Sequence, residues 1–207
     1  LFRSVALLCN IVVVSGSAVV FLRKEKFTFN QWWPYLLPGV PMAWLGGFWK
    51  LSDRGFYLLL GITLMVAAVL LWIRPPQSEV GGASSGRLWL KAGVSGGVGL
   101  LSGLVSIGGG IFLSPVMHLM NWDVPRRISA MAGLFILVNS VSGLLGQFSR
   151  GLPDLDGWFV VPLLLAVLLG GQVGSRIGAG RFNPLHVRRV TALVVFAAAL
   201  LILRDHR

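Results

Sequence analysis

Few residues of this chain are equipped for chemistry in an apolar setting. The most suggestive are Ser106-Ile107-Gly108-Gly109-Gly110, with Pro115 just beyond, and the pair Asn139-Ser140. Three consecutive glycines each cost a helix roughly 1 kcal/mol relative to alanine, so they mark a break. A break exposes backbone N–H groups, and the first turn of a helix that restarts after it carries partial positive charge. Gly108, Gly109 and Gly110 could therefore cradle an oxyanion; equally, they could do no more than let helices approach closely. Ser106, Asn139 and Ser140 are the polar groups expected to face the break. Asn139 and Ser140 lie mid-span, where an unpaired polar group costs about 1–3 kcal/mol. Each needs a partner, either another helix or a substrate.

The chemistry that is missing narrows the classes. The seven acids, Glu25, Asp53, Glu79, Asp123, Asp154, Asp156 and Asp205, all fall between apolar runs or at the tail. An intramembrane carboxylate would mark a cation site or proton relay; its absence suits an anion. No HExxH, paired intramembrane Asp or P-loop lysine appears, which argues against an enzyme. The single cysteine, Cys9, excludes an internal disulfide and a Cys-based zinc cluster, and its apolar context fits a small buried packing residue. His118 could titrate and couple protons. Standing four residues before Trp122, it is read as an interfacial residue.

The elements that must hold these groups follow from composition. Of 207 residues, 55% are hydrophobic and only 12% charged, about half the share of a soluble domain. Mean hydropathy is +0.79. A soluble enzyme, a disordered chain and a nucleic-acid binder are excluded. The net charge of +11 then belongs to Lys and Arg in the loops of a membrane protein. No cleavable signal peptide is evident, and the length allows roughly six to eight helical spans.

Uncharged windows mark those spans at 4–22, 32–49, 55–73, 92–122, 128–149, 157–175 and 190–203, the last extended back to Leu185. Residues 74–87, rich in Pro, Gly and Ser, read as a linker between a first membrane module, 1–73, and a second, 88–207. Trp32, Trp33, Trp49, Trp72, Trp89, Trp122 and Trp158 fall near span ends, as an interfacial belt requires; only Trp44 sits inside a span. The 92–122 window would make one helix of about 46 Å, too long for a bilayer core of about 30 Å. It is too short for two full spans, so a broken or re-entrant segment is expected.

Charge supports the re-entrant form. If the window crosses once, Lys and Arg divide equally between the two sides. If it doubles back, one face collects Arg23, Lys24, Lys26, Arg74, Arg87, Lys91, Arg126, Arg127, Arg176, Arg181, Arg188 and Arg189. The other keeps Arg3, Lys50, Arg54, Arg150, Arg204 and Arg207. The positive-inside rule favours the second arrangement, with the richer face cytoplasmic. The run 23–26 reads as an orientation signal touching anionic lipid. Arg176 reads as a cytoplasmic anchor, with pairing to an anion in transit the alternative.

The modules echo each other. Val14-Ser15-Gly16 matches Val141-Ser142-Gly143; Trp33 leads to Leu45-Gly46-Gly47 as Trp158 leads to Leu169-Gly170-Gly171. Three crossings per module would invert the second copy, a transporter architecture. Gly170, Gly174 and Gly178 recur every four residues and are expected to form a close packing seam.

These motifs carry a resemblance. Gly103-x-x-Ser106-x-Gly108-Gly109-Gly110-x-x-x-x-Pro115 is similar to the glycine-rich signature of the TauE/SafE sulfite-exporter family. Ala130-x-Ala132-Gly133-x-Phe135-Ile136-x-x-Asn139-Ser140-x-x-Gly143-Leu144-x-Gly146 resembles that family's next segment, and Gly170-Gly171-x-x-Gly174-Ser175-Arg176-x-Gly178-x-x-Arg181 its late one. The likeness is good over about 88–203 and looser over 1–73. Gly133 stands where the family often has Ser or Thr, so a hydroxyl contact is lost there. The resemblance implies an all-α polytopic membrane protein of two inverted modules, each of three transmembrane helices, with the broken glycine-rich segment opening the second. It also implies a matching segment of about 30 to 40 residues before Leu1. The implied function is transport, in the export direction, of a small anion such as sulfite or an organosulfonate by a secondary permease in the cell (inner) membrane. The alternatives are a passive anion channel or a non-transporting membrane partner. The substrate-binding set is Ser106, Gly108, Gly109, Gly110, Pro115, Asn139 and Ser140. Expected partners are the small anion and the bilayer, with no nucleic acid, no metal and no cofactor; a homo-oligomer stays open.

Overall fold

A computed structural model describes residues 2–24, 29–73, 87–120, 122–151, 157–181 and 184–205. The described chain is all-helical: α1 (Phe2–Lys24), α2 (Phe29–Phe48), α3 (Asp53–Ile73), α4 (Leu88–Val105), α5 (Gly110–Leu119), α6 (Pro125–Phe148), α7 (Gly157–Arg181) and α8 (Pro184–Asp205). Among them α3, α4 and residues 127–148 of α6 are long and apolar enough to cross a membrane. Of the expected linker, 74–86 lie outside the described residues, as do the acids Glu25, Glu79, Asp154 and Asp156.

Local chemistry sets the helix ends. Ser52 Oγ accepts the Gly55 N–H at 3.2 Å, and Asp53 places negative charge in the first turn of α3, where the helix dipole favours it. Asp123 accepts the Val124 N–H at 2.8 Å and meets Arg127 at 3.8 Å, while Pro125, needing no N–H partner, opens α6. α2 stays helical through Pro34, Pro38 and Pro41.

The bundle is built around α2, which packs against α4 on one side and α6 on the other. Its contacts are backbone to backbone. A Cβ on Gly103 would come within 2.7 Å of the Gly47 nitrogen, one on Gly47 would strike Gly143, and one on Gly146 would fall 3.0 Å from the Phe48 nitrogen. Glycine is the only residue that fits such crossings. α1 leans on α6 and α7, α3 on α8, and α5 on α6. Gly61 abuts Leu203, while Ala68 and Ile73 share a cavity wall with Ala192 and Phe196, so α3 and α8 run antiparallel.

The expected seam on α7 is corrected. Cβ atoms on Gly170 and Gly174 would meet nothing within 4 Å, and the side of Gly178 lies outside the described residues. The close seams belong to α2, α4 and α6 instead. Gly103→Ala is therefore expected to cost about 2–3 kcal/mol, as overpacking does, and Gly170→Ala nothing measurable. Thermal unfolding of the two purified variants checks both.

The aromatic expectations divide. Trp49, Trp72, Trp89 and Trp158 are exposed at helix ends. Trp122 is not: it is buried against Tyr35, ring centroids 5.8 Å apart. His118, one turn earlier, is buried too. Trp44 lies within α2, as expected, with its exposed ring stacked on Phe48. Cys9 is half-buried rather than fully enclosed.

Candidate functional site

The 92–122 window is broken where its glycines stand. α4 ends on Ser106 in the left-handed region at φ 61°, Gly108 and Gly109 follow at φ 82° and 75°, and α5 starts at Gly110. Only glycine adopts two such conformations in succession without strain. The chain then doubles back: Trp122, past the end of α5, returns to Lys91 in the first turn of α4, whose Nζ lies 5.9 Å from its ring centroid and 5.9 Å from that of Tyr35.

The Gly109 carbonyl accepts from both Phe112 and Leu113 N–H at 3.1 Å. The N–H groups of Gly110 and Ile111, one turn too early for an intrahelical acceptor, point out of the start of α5. Around this start the bundle gathers polar side chains. A Cβ at Gly108 would sit 3.1 Å from Ser140 Oγ and 3.2 Å from Asn10 Nδ2; one at Gly109 would sit 2.9 Å from the Phe135 ring and 3.1 Å from Ser102 Cβ. Asn139 stands beside the Phe135 ring, its Oδ1 turned toward Gly39 of α2. Asn139 and Ser140 are fully buried, as is Ser102. The Asn139 amide nitrogen and oxygen, Ser140 Oγ and Ser102 Oγ have no hydrogen-bond partner. Buried polar groups are almost always paired, so the orphan hydroxyls of Ser102 and Ser140 at this helix start, and the orphan amide of Asn139 one side chain away, need a reason.

Of the expected site residues, Gly108, Gly109, Gly110 and Ser140 come together directly, with Asn139 one side chain away. Ser106 is engaged in a bridge: Ser4 Oγ donates to Gln147 Oε1 at 2.7 Å, and Gln147 Nε2 donates to Ser106 Oγ at 3.2 Å. Pro115 is buried within α5, beyond its first turn, and does not line the break. The sequence reading missed Ser102 and Asn10. Ser102 had a signal, since Ser95, Ser102 and Ser106 follow one face of α4 at helical spacing; Asn10, alone in an apolar run, had none beyond its polarity. No described acid lies inside the bundle, so the charge at the site is the partial positive charge of α5. The side chain of Arg176 lies outside the described residues.

The sequence profile of the sulfite exporter TauE/SafE family matches residues 3–202. The chain is 26% identical over 206 residues to a Sinorhizobium fredii protein described as "Probable membrane transporter protein y4hK", covering 97% of this chain and 82% of that protein. It is also 25% identical over 150 residues to a potassium-transporting ATPase potassium-binding subunit of Allorhizobium ampelinum, covering 69% of this chain and 26% of the subunit. No solved structure matches.

Proposed function

The chain belongs to the sulfite exporter TauE/SafE family, and on that premise we propose that it is a secondary permease exporting a small anion, sulfite or an organosulfonate, across the cell's inner membrane. The observation that carries this reading is the cluster of Ser102, Asn139 and Ser140. The unpartnered hydroxyls of Ser102 and Ser140 lie at the positive end of α5 and the unpartnered amide of Asn139 one side chain away, all buried, with no described carboxylate nearby. An oxyanion accepts hydrogen bonds from hydroxyls, an amide N–H and the free N–H groups of Gly110 and Ile111. A cation would need the acids that are missing here. Gly108 to Gly110, Asn139 and Ser140 thus bind substrate directly. Ser106 holds the break in register through Gln147, and Pro115 shapes α5 from within.

The doubled-back window supports an orientation. Lys91 and Trp122 share one end of the bundle. At the opposite end Arg3 Nη2 donates to the Leu104 carbonyl at 2.8 Å and Arg150 Nη1 to the Phe48 carbonyl at 2.8 Å. Placing the Lys91 end in the cytoplasm satisfies the positive-inside rule. Inverted modules have support of the same kind. Gly47 of α2 abuts α6, and its counterpart Gly171 of α7 faces Val13 of α1, 3.3 Å from where a Cβ would stand.

Counterflow in proteoliposomes tests the reading. Radiolabelled sulfite is expected to accumulate transiently against unlabelled sulfite preloaded inside. Flux without counterflow would make the protein a channel. No flux of sulfite or methanesulfonate would leave a non-transporting membrane protein.

A further inference from the structure

Ser106 is held in a conformation its type does not favour. Among the described residues it is the one non-glycine with a positive φ, 61°, a region in which a Cβ crowds the following carbonyl. Such residues persist only where their surroundings over-determine them. The helix itself does not do so. The Ser106 N–H closes the last turn of α4 on the Ser102 carbonyl at 2.8 Å, but rotation about φ leaves that N–H where it is. What grips Ser106 is its hydroxyl, which accepts from Gln147 Nε2 at 3.2 Å. Gln147 is tied in turn to α1, where the buried Ser4 Oγ donates to its Oε1 at 2.7 Å. Glycine at this position would make the same turn unaided. Serine needs the partner, and the partner needs α6 and α1 in place.

Gln147 stands on the face of α6 that runs past the break. Ser140 lies about two turns earlier on that face and Ile136 about three. A Cβ at Gly108 would meet both, 3.1 Å from Ser140 Oγ and 2.7 Å from Ile136 Cγ2, and one at Gly110 would strike Ile136. One helix face therefore touches both banks of the break: the end of α4 through Gln147, and the glycines that lead into α5 through Ile136 and Ser140. We propose that Gln147 is a positioning residue for the substrate site. It keeps Ser106 left-handed, so that the chain leaves α4 in the direction that sets Gly108, Gly109 and Gly110 at the start of α5. Released from Gln147, Ser106 returns toward the right-handed region, α4 lengthens at its end, and the N–H groups of Gly110 and Ile111 are displaced. The restraint stands on this geometry alone; its effect on an anion rests on the proposed transport function.

Hydrogen–deuterium exchange of the full chain in lipid nanodiscs, read by mass spectrometry, measures the restraint without any flux. Gln147→Met keeps the length of the side chain and removes both hydrogen bonds. Peptides across 105–111 are expected to exchange roughly tenfold faster than in the parent, with those of α3 unchanged. In a Ser106→Gly background, where the turn needs no help, Gln147→Met is expected to add less than about twofold, the non-additivity of two residues acting through one contact. Unchanged exchange in Gln147→Met overturns the proposal. So does an equal increase in both backgrounds, which would make Gln147 a general packing residue. If Gln147→Met speeds α3 as well, Ser4→Ala, which frees only one end of the bridge, takes its place: faster exchange at 105–111 is expected, and none overturns the proposal. Counterflow reads the consequence. The half-saturation concentration for methanesulfonate is expected to be about tenfold higher in Gln147→Met, with the maximal rate within about twofold of the parent; an unchanged value overturns the positioning role. A parent that carries no anion overturns the transport function instead, and the exchange result still decides whether Gln147 holds the break.

Discussion

Gly109→Leu is expected to abolish anion flux while leaving the protein inserted in the membrane. Gly109 holds φ 75°, a region that costs a residue with a side chain roughly 1–2 kcal/mol. Its new Cβ would also fall 2.9 Å from the Phe135 ring, 3.1 Å from Ser102 Cβ and 3.2 Å from Val98 Cγ1. All three neighbours are buried, so none can swing into open space. The cheapest relief is to rotate the start of α5, which displaces the N–H groups of Gly110 and Ile111. The spanning stretches of α3, α4 and α6 are untouched, so surface expression should persist. Flux should fall at least a hundredfold, about 2.7 kcal/mol of barrier. Gly97→Leu is the control, because a Cβ there meets nothing within 4 Å; its flux should match the parent. Equal flux in Gly109→Leu would mean that the break is only a packing feature.

The second large effect has two signs. Asn139→Leu keeps the volume of a fully buried side chain while removing two polar atoms that have no partner. An unmet buried polar group costs about 1–3 kcal/mol, so the variant is expected to be more stable. For a chain of this size that is a rise in melting temperature of roughly 2–4 °C per kcal/mol. Flux is expected to drop at least tenfold if the amide serves the substrate, as proposed, rather than the fold. A purely structural asparagine would give the reverse, a lower melting temperature with flux intact. Asn139→Asp separates amide from charge: a carboxylate facing the anion path should stop flux altogether.

The broken helix was readable in the sequence because glycine is written for backbone conformations other residues avoid, and Gly108 and Gly109 adopt them. Ser106 also turns left-handed, and nothing in its type announces that. Which glycines form close crossings was not readable. Gly170 and Gly174 have the right spacing yet face nothing, whereas Gly47, Gly103 and Gly146 meet backbone, because a seam depends on the neighbour as much as on the helix that carries it. Tryptophan behaved similarly: Trp158 is exposed and Trp122 buried, since only the doubling-back of α5 brings Tyr35 to the latter. At the site, Asn139 and Ser140 were legible as costly polar groups in an apolar run. Ser102 and Asn10 became meaningful only once α1, α4 and α6 were brought around one point.

The glycine crossings of α2 also set what in this molecule can move. Where side chains interdigitate, two helices can slip by exchanging rotamers. Where backbone rests on backbone, as between Gly103 and Gly47 or Gly146 and Phe48, there is nothing to exchange, and sliding means lifting one helix off the other. α2, α4 and α6 therefore behave as a stator. Changes of access fall to the parts clamped less tightly to it: the ten-residue α5, hinged at two left-handed glycines, and the α3–α8 pair.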